Sequence, residues 1–173
     1  MNYNQLKLPA GLHVRPAVAK DKVFLAQLHN EKRDDLRLIQ GEKDFVESII
    51  AMQLNAMDQG YGEQFPNALY FIIEYYNEAV GRAVLDFEHN RVHLIDIAFL
   101  HKARGHGLGE AVLRSFMYSA SQLKVPMHLS VQQLNVAAKR LYLKLGFKTV
   151  EITAPYERMM WYPQAIVNSQ AFT

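Results

Sequence analysis

Two hydrophobic periods alternate along this 173-residue chain. Leu12-His13-Val14-Arg15 alternates and stops at Pro16, which predicts a first strand. Asp21 then opens an amphipathic helix carrying Phe24, Leu25, Leu28 and Leu36. Phe45, Ile49, Met52 and Ala56 predict a second helix ending near Gly60, and Tyr61 to Pro66 reads as a loop. Ala68 to Tyr76 and Ala79 to Phe87 have strand character, with Asn77-Glu78 between them as a turn. Glu88-His89-Asn90 turns again into a third such run, Arg91 to Leu100. Past three closely spaced glycines, Leu108, Val112, Phe116 and Leu123 recur at helical spacing, with Ser115 and Ser119 between them. Pro126 to Val131 predicts a buried strand, Asn135 starts another helix, and Phe147 to Ile152 with Glu157 to Trp161 predict a closing antiparallel pair. Hairpin strands followed by strand–helix–strand–helix predict a mixed α/β fold, a central sheet of about six or seven strands with helices on both faces.

Length favours one domain over residues 1–173, with a core at about 12–162 and a tail at 163–173. No apolar run approaches the roughly 20 residues a membrane-spanning helix needs, and Met1 to Gln5 carries no basic-then-apolar signal. There is no cysteine, which excludes disulfides, thiolate metal sites and cysteine nucleophiles. A cytoplasmic location is the resulting expectation. Net charge is only +2, but residues 1–100 hold 10 basic and 14 acidic side chains, against 9 and 3 in residues 101–173. A basic half suits a polyanionic ligand and an acidic half suits a cationic one. The basic residues are interspersed rather than stacked in a stripe, which argues against nucleic acid.

The candidate chemistry begins at Arg104-Gly105-His106-Gly107-Leu108-Gly109, between a strand and a helix. Alternate glycines leave backbone N–H groups uncovered by Cβ atoms, at a helix N-terminus whose dipole favours negative charge. Arg104 adds a full positive charge. These features ask for a phosphate, though glycines at such a turn also serve plain turn geometry. A nucleotide P-loop would require Gly-Lys-Ser/Thr, whereas the chain continues Gly109-Glu110-Ala111, and Glu110 also breaks the dinucleotide pattern. Downstream, Asn135 is a good helix N-cap, and Ala138, Leu141, Tyr142 and Leu145 share one face up to Gly146, a helix-ending glycine.

Together these segments resemble the GNAT superfamily of coenzyme A-dependent N-acyltransferases. Arg104, Gly107 and Gly109 match its Gln/Arg-x-x-Gly-x-Gly/Ala motif. Asn135, Ala138, Leu141, Tyr142, Gly146 and Phe147 match its Asn-x-x-Ala-x-x-Leu-Tyr-x-x-x-Gly-Phe motif, in the family's order and spacing. The resemblance implies a GNAT fold, with parallel fourth and fifth strands splayed to admit a pantetheine arm. It implies acetyl-CoA as cosubstrate and transfer of the acetyl group to a primary amine by direct attack. Pyrophosphate would sit on Gly105, His106, Gly107, Leu108 and Gly109 beside Arg104, and the pantetheine amides on Ala98, Phe99 and Leu100. Asn135 either contacts the arm or only caps its helix. Tyr142 is the implied general acid toward the leaving sulfur; its alternative is a core aromatic.

For the base, Asp96 is the first candidate, because an acid between Ile95 and Ile97 is unusual and needs a partner. A buried ion pair is the competing reading, and Glu74 and His93 are the other candidates. No metal is expected, since the seven histidines show no His-Glu-x-x-His spacing. Acceptor recognition would fall to Asp34, Asp35, Glu42, Asp44 and Glu47, with Tyr61, Phe65 and Tyr156 as aromatic walls. The expected partner is a small-molecule, peptide or protein amine, with neither nucleic acid nor membrane. The apolar Met159-Met160-Trp161-Tyr162 suits either a homodimer or interior packing. The alternative function is a non-catalytic CoA-binding sensor or partner-binding module on the same fold. A phosphotransferase lacks its lysine and magnesium ligands.

Overall fold

A computed structural model describes residues 8–37 and 65–164. The expected helix at 45–56, the acidic residues Glu42, Asp44 and Glu47, and Tyr61 lie outside the described residues, as does nearly all of the 163–173 tail. The elements are β1 (Leu12–Pro16), α1 (Lys22–Arg37), β2 (Leu69–Tyr75), β3 (Glu78–Phe87) and β4 (Val92–Phe99). They continue with α2 (Leu108–Gln122), β5 (Met127–Gln132), α3 (Val136–Leu145), β6 (Lys148–Thr153) and β7 (Tyr156–Trp161). The seven strands form one sheet in the order β1-β2-β3-β4-β5-β7-β6. Its first four strands are antiparallel neighbours, β4 and β5 are parallel, and β7 inserts antiparallel between β5 and β6. The mixed α/β fold read from the hydrophobic periods is therefore the one observed. No helix among the described residues is long and apolar enough to cross a membrane.

The main core gathers Ile73, Ala83, Leu85, Val92 and Leu94 from the sheet with Val112, Leu113, Phe116 and Ala120 of α2. Each fully buried Leu or Phe there contributes about 1.5–3 kcal/mol. Leu28 of α1, Ile72, Val84 and Leu100 are also buried but stand outside that cluster. Strand alternation puts Val84 on the face opposite Leu85. Leu123 departs from the expectation. It continues the α2 periodicity but is 58 % exposed, because the helix ends at Gln122 and the chain turns through Lys124, at φ +57, into β5.

Ion pairs lock the front of the sheet. Arg15 of β1 holds Asp21 with both terminal nitrogens, at 2.9 and 2.8 Å, and donates from Nε to Glu74 of β2 at 2.7 Å. The same Asp21 carboxylate accepts from the Val18 amide, so it fixes the turn into α1. Glu74 is thereby committed to structure. Met159 is fully buried and Trp161 packs on the core, so part of the apolar C-terminal strand serves the interior.

Gly81 lies opposite Phe99 in the β3–β4 ladder. A Cβ there would stand 2.7 Å from the Ala98 carbonyl oxygen and 2.8 Å from the Phe99 ring. Backbone and ring cannot both yield, so Gly81→Val should destabilise the fold by about 1–3 kcal/mol. Chemical denaturation would measure it, and an unchanged midpoint would contradict this packing.

Candidate functional site

The site is a fork in the sheet. β4 and β5 pair at Val92–Met127, His93–His128 and Leu94–Leu129, and their ladder goes no further. On the other side of β4, Leu94 pairs with Leu85 while Asp96 pairs with Val84, so Ile95 is an extra residue bulged out of the β3–β4 ladder. A bulge bends and twists its strand. The parting of β4 from β5 starts where that bend lies. Past Leu94, β4 has no ladder partner on the β5 side among the described residues.

At this end of β4, Ala98 and Phe99 are half-buried, and Leu100 just beyond it is buried. The Leu100 N–H donates to Val80 at 2.9 Å, and its carbonyl accepts from Ala103 at 3.0 Å. A ligand would meet only the second lone pair of that carbonyl. Asp96 sits at the bulge, with Arg82 Nη2 on its Oδ2 at 2.8 Å. The ion-pair reading of Asp96 therefore describes its resting contact.

At the mouth of the fork a single 3-10 turn, His101–Ala103, leads into the glycine loop. Gly105 and Gly107 have φ of +78° and +75°, the left-handed region that favours glycine. A Cβ on either would meet no atom of the described residues within 4 Å, so among these both glycines open onto free space. Gly107 is the N-cap of α2, its carbonyl accepting from Ala111. The amides of Leu108, Gly109 and Glu110 then have no partner within the helix. Leu108 is buried, whereas Arg104, Gly105, His106 and Gly107 are exposed. Arg104 Nε donates to the Phe99 carbonyl at 3.2 Å, joining loop to strand end.

Glu110 would oppose an anion at this helix end. Arg114 takes its Oε1 at 2.9 Å and Lys144 its Oε2 at 3.1 Å, and these two cations hold its carboxyl below the usual range. Lys144 belongs to α3, so the pair also ties the two helices together.

The sequence assigns α3 its useful orientation. Asn135 Oδ1 accepts from the Ala138 amide at 3.3 Å, which bears out the N-cap, and Gly146 ends the helix at φ +101. Tyr142 and Leu145 are buried, with Ala138 and Leu141 packed against the core. The Tyr142 ring lies 5.9 Å from Phe147, and among the described residues no hydrogen bond holds its hydroxyl. Burial first, and the Asp96 charge second, push its phenol up to about 12. Asp96 and Tyr142 thus share one electrostatic environment.

Of the remaining candidates, His93 packs against Phe65 and His128 rather than at the loop. Asp34 and Tyr156 are exposed. Three contributors escaped the sequence reading: Gly81, Arg82 and Lys144, each acting across a non-local contact. The expectation of no metal rested on local spacing. Topology nonetheless brings ligand atoms of Glu88, His93 and His128 within 4.8 Å of one another.

Residues 26–147 match the Acetyltransferase (GNAT) family. No curated protein matches the chain in sequence. Among solved structures, a PaiA N-acetyltransferase from Thermoplasma acidophilum in complex with coenzyme A superposes with a TM-score of 0.68 at 15% identity, over 87% of this chain and 98% of that one. RimL, a ribosomal L7/L12 alpha-N-protein acetyltransferase in complex with coenzyme A, gives 0.65 at 13% identity, over 92% and 98%. A GNAT family acetyltransferase from Elizabethkingia anophelis with acetyl-CoA bound gives 0.60 at 15%, over 88% and 99%. At these identities the likeness is one of fold.

The phenol of Tyr142 can be followed directly by carbon NMR of the ring. At pH 10, where an ordinary tyrosine is half ionised, Tyr142 should remain protonated. Asp96→Asn removes the smaller cause and should lower its titration midpoint, while burial keeps the midpoint above 10. A Tyr142 signal half shifted at pH 10 in the native protein would contradict the burial described.

Proposed function

We propose, from the premise that this chain belongs to the GNAT acetyltransferase family, that it transfers an acetyl group from acetyl-CoA to a primary amine by direct attack. The observation that carries this reading is the fork: a β4 edge without a strand partner past Leu94 among the described residues, with an open, left-handed glycine loop at its mouth. The diphosphate lies on the amides of Gly105 to Gly109, with Arg104 as flanking cation and the α2 dipole behind. The pantetheine arm runs along Ala98, Phe99 and the free lone pair of Leu100. Asn135 serves first as the cap of α3 and faces the arm from there.

The reaction needs a neutral amine nitrogen, which attacks the thioester carbonyl. As the tetrahedral adduct collapses, the carbon–sulfur bond breaks and the sulfur takes the electron pair. The nitrogen gives up a proton, for which Asp96 is the proposed acceptor, directly or through water. Tyr142 donates toward the sulfur. With its phenol at about 12 and a thiol near 8.5, complete transfer would be uphill by roughly 5 kcal/mol. Its contribution as general acid is therefore a shared proton that strengthens as charge grows on sulfur, useful but modest. The thiol's proton balance is completed by the one the amine released.

Tyr142→Phe should lower kcat several-fold while acetyl-CoA affinity barely moves; steady-state kinetics with calorimetry separates the two, and unchanged turnover removes Tyr142 from the mechanism. Gly107→Val places a side chain in open space at a strained φ costing about 1–2 kcal/mol. The domain should stay folded by circular dichroism and lose acetyl-CoA binding by calorimetry. Full affinity in that variant would remove the loop from the site.

A further inference from the structure

We propose that Glu88, His93 and His128 form a binding site for a divalent, zinc-class cation at the closed end of the β4–β5 fork. The three residues come from the β3–β4 turn, the second position of β4 and the second position of β5. His93 and His128 are direct partners in the parallel ladder. One carboxylate oxygen, Glu88 Oε1, faces both rings, 3.7 Å from His93 Nδ1 and 3.5 Å from His128 Nε2. Its other oxygen is taken by Arg91 Nε, which fixes the carboxylate's orientation.

The second observation is His128 itself. It is 5 % exposed, and neither of its ring nitrogens has a hydrogen-bond partner among the described residues. Buried polar atoms without partners are rare in native proteins. The chemistry of the gap says what would satisfy Nε2, the nitrogen that faces Glu88. A carboxylate oxygen and imidazole lone pairs are all electron donors, so what they converge on is a cation.

Distances distinguish a metal from a direct contact. Both oxygen–nitrogen separations exceed a hydrogen bond, but they are close to the roughly 3.3–3.5 Å edge of a tetrahedron with bonds of about 2.0–2.1 Å. The three ligand atoms lie within 4.8 Å of one another, so the widest edge must shorten. The rings are stacked at 4.1 Å with a 20° angle. Binding would fan them apart, because a metal lies in the plane of each imidazole it joins. Phe65 packs edge-on against His93 at 5.0 Å and shields that side. Two imidazoles, one carboxylate and a water make a set that suits zinc. The ion would pin the turn and both strands where their ladder is three pairs long. This role is independent of the acetyl transfer.

Metal-free full-length protein should be titrated with zinc chloride by calorimetry and with cobalt(II) chloride by visible absorption. One zinc per chain, a rise in Tm with zinc, and cobalt bands of a low-coordinate site are expected. Glu88→Gln, on a half-buried turn, and His128→Gln should each weaken zinc affinity by roughly tenfold or more. Should His128→Gln fail to fold, nitrogen NMR of the native protein replaces it, with zinc shifting the ring signals of His93 and His128. Absence of zinc binding overturns the proposal, as does unchanged affinity in Glu88→Gln or zinc shifts confined to other histidines.

Discussion

The molecule is organised around the parting of two parallel strands. A parallel pair normally continues its ladder as far as both strands run, since each unpaired buried amide carries a desolvation cost. Here it stops after Leu94–Leu129, one residue before the bulge at Ile95. The bend that Ile95 puts into β4 lies where the two strands part, and beyond it β4 has no strand partner on that side among the described residues. The glycine loop follows from the end of the same strand, and Tyr142 arrives from the helix after β5. Loop and strand edge thus lie on one side of a single irregularity.

Charge is arranged with similar economy. Glu110 sits in the first turn of α2, where it favours the helix dipole but disfavours an anion. Arg114 and Lys144 occupy its two oxygens, so the helix end keeps its dipole without a free negative charge. Arg104 meanwhile rests on the Phe99 carbonyl. Asp96 is balanced by Arg82, and its charge still reaches Tyr142.

The chain announces its local devices and hides its distant ones. Hairpins, the Asn135 cap, the Gly146 stop and the buried face of α3 were all legible, because each depends on residues within one turn or one strand. The glycine loop was legible for the same reason. Ile95 was not: in Leu94-Ile95-Asp96-Ile97 an extra apolar residue looks like any other in a strand, and only the β3 register exposes it. Leu123 misled because periodicity marks a face but not where a helix stops. Arg82–Asp96, Glu110–Lys144 and His93–His128 are pairings across elements, which no spacing along the chain encodes.

Ile95 also separates two kinds of evolutionary change. Replacing it alters what fills a half-buried position, and strands absorb such exchanges. Deleting it would let Leu94 and Asp96 follow the partner strand without interruption, so β4 could straighten and zip onto β5. The count of residues in this strand is therefore constrained more tightly than their identity. Insertions and deletions among descendants of this chain must be taken up elsewhere, in connections that do not set how far the two strands stand apart.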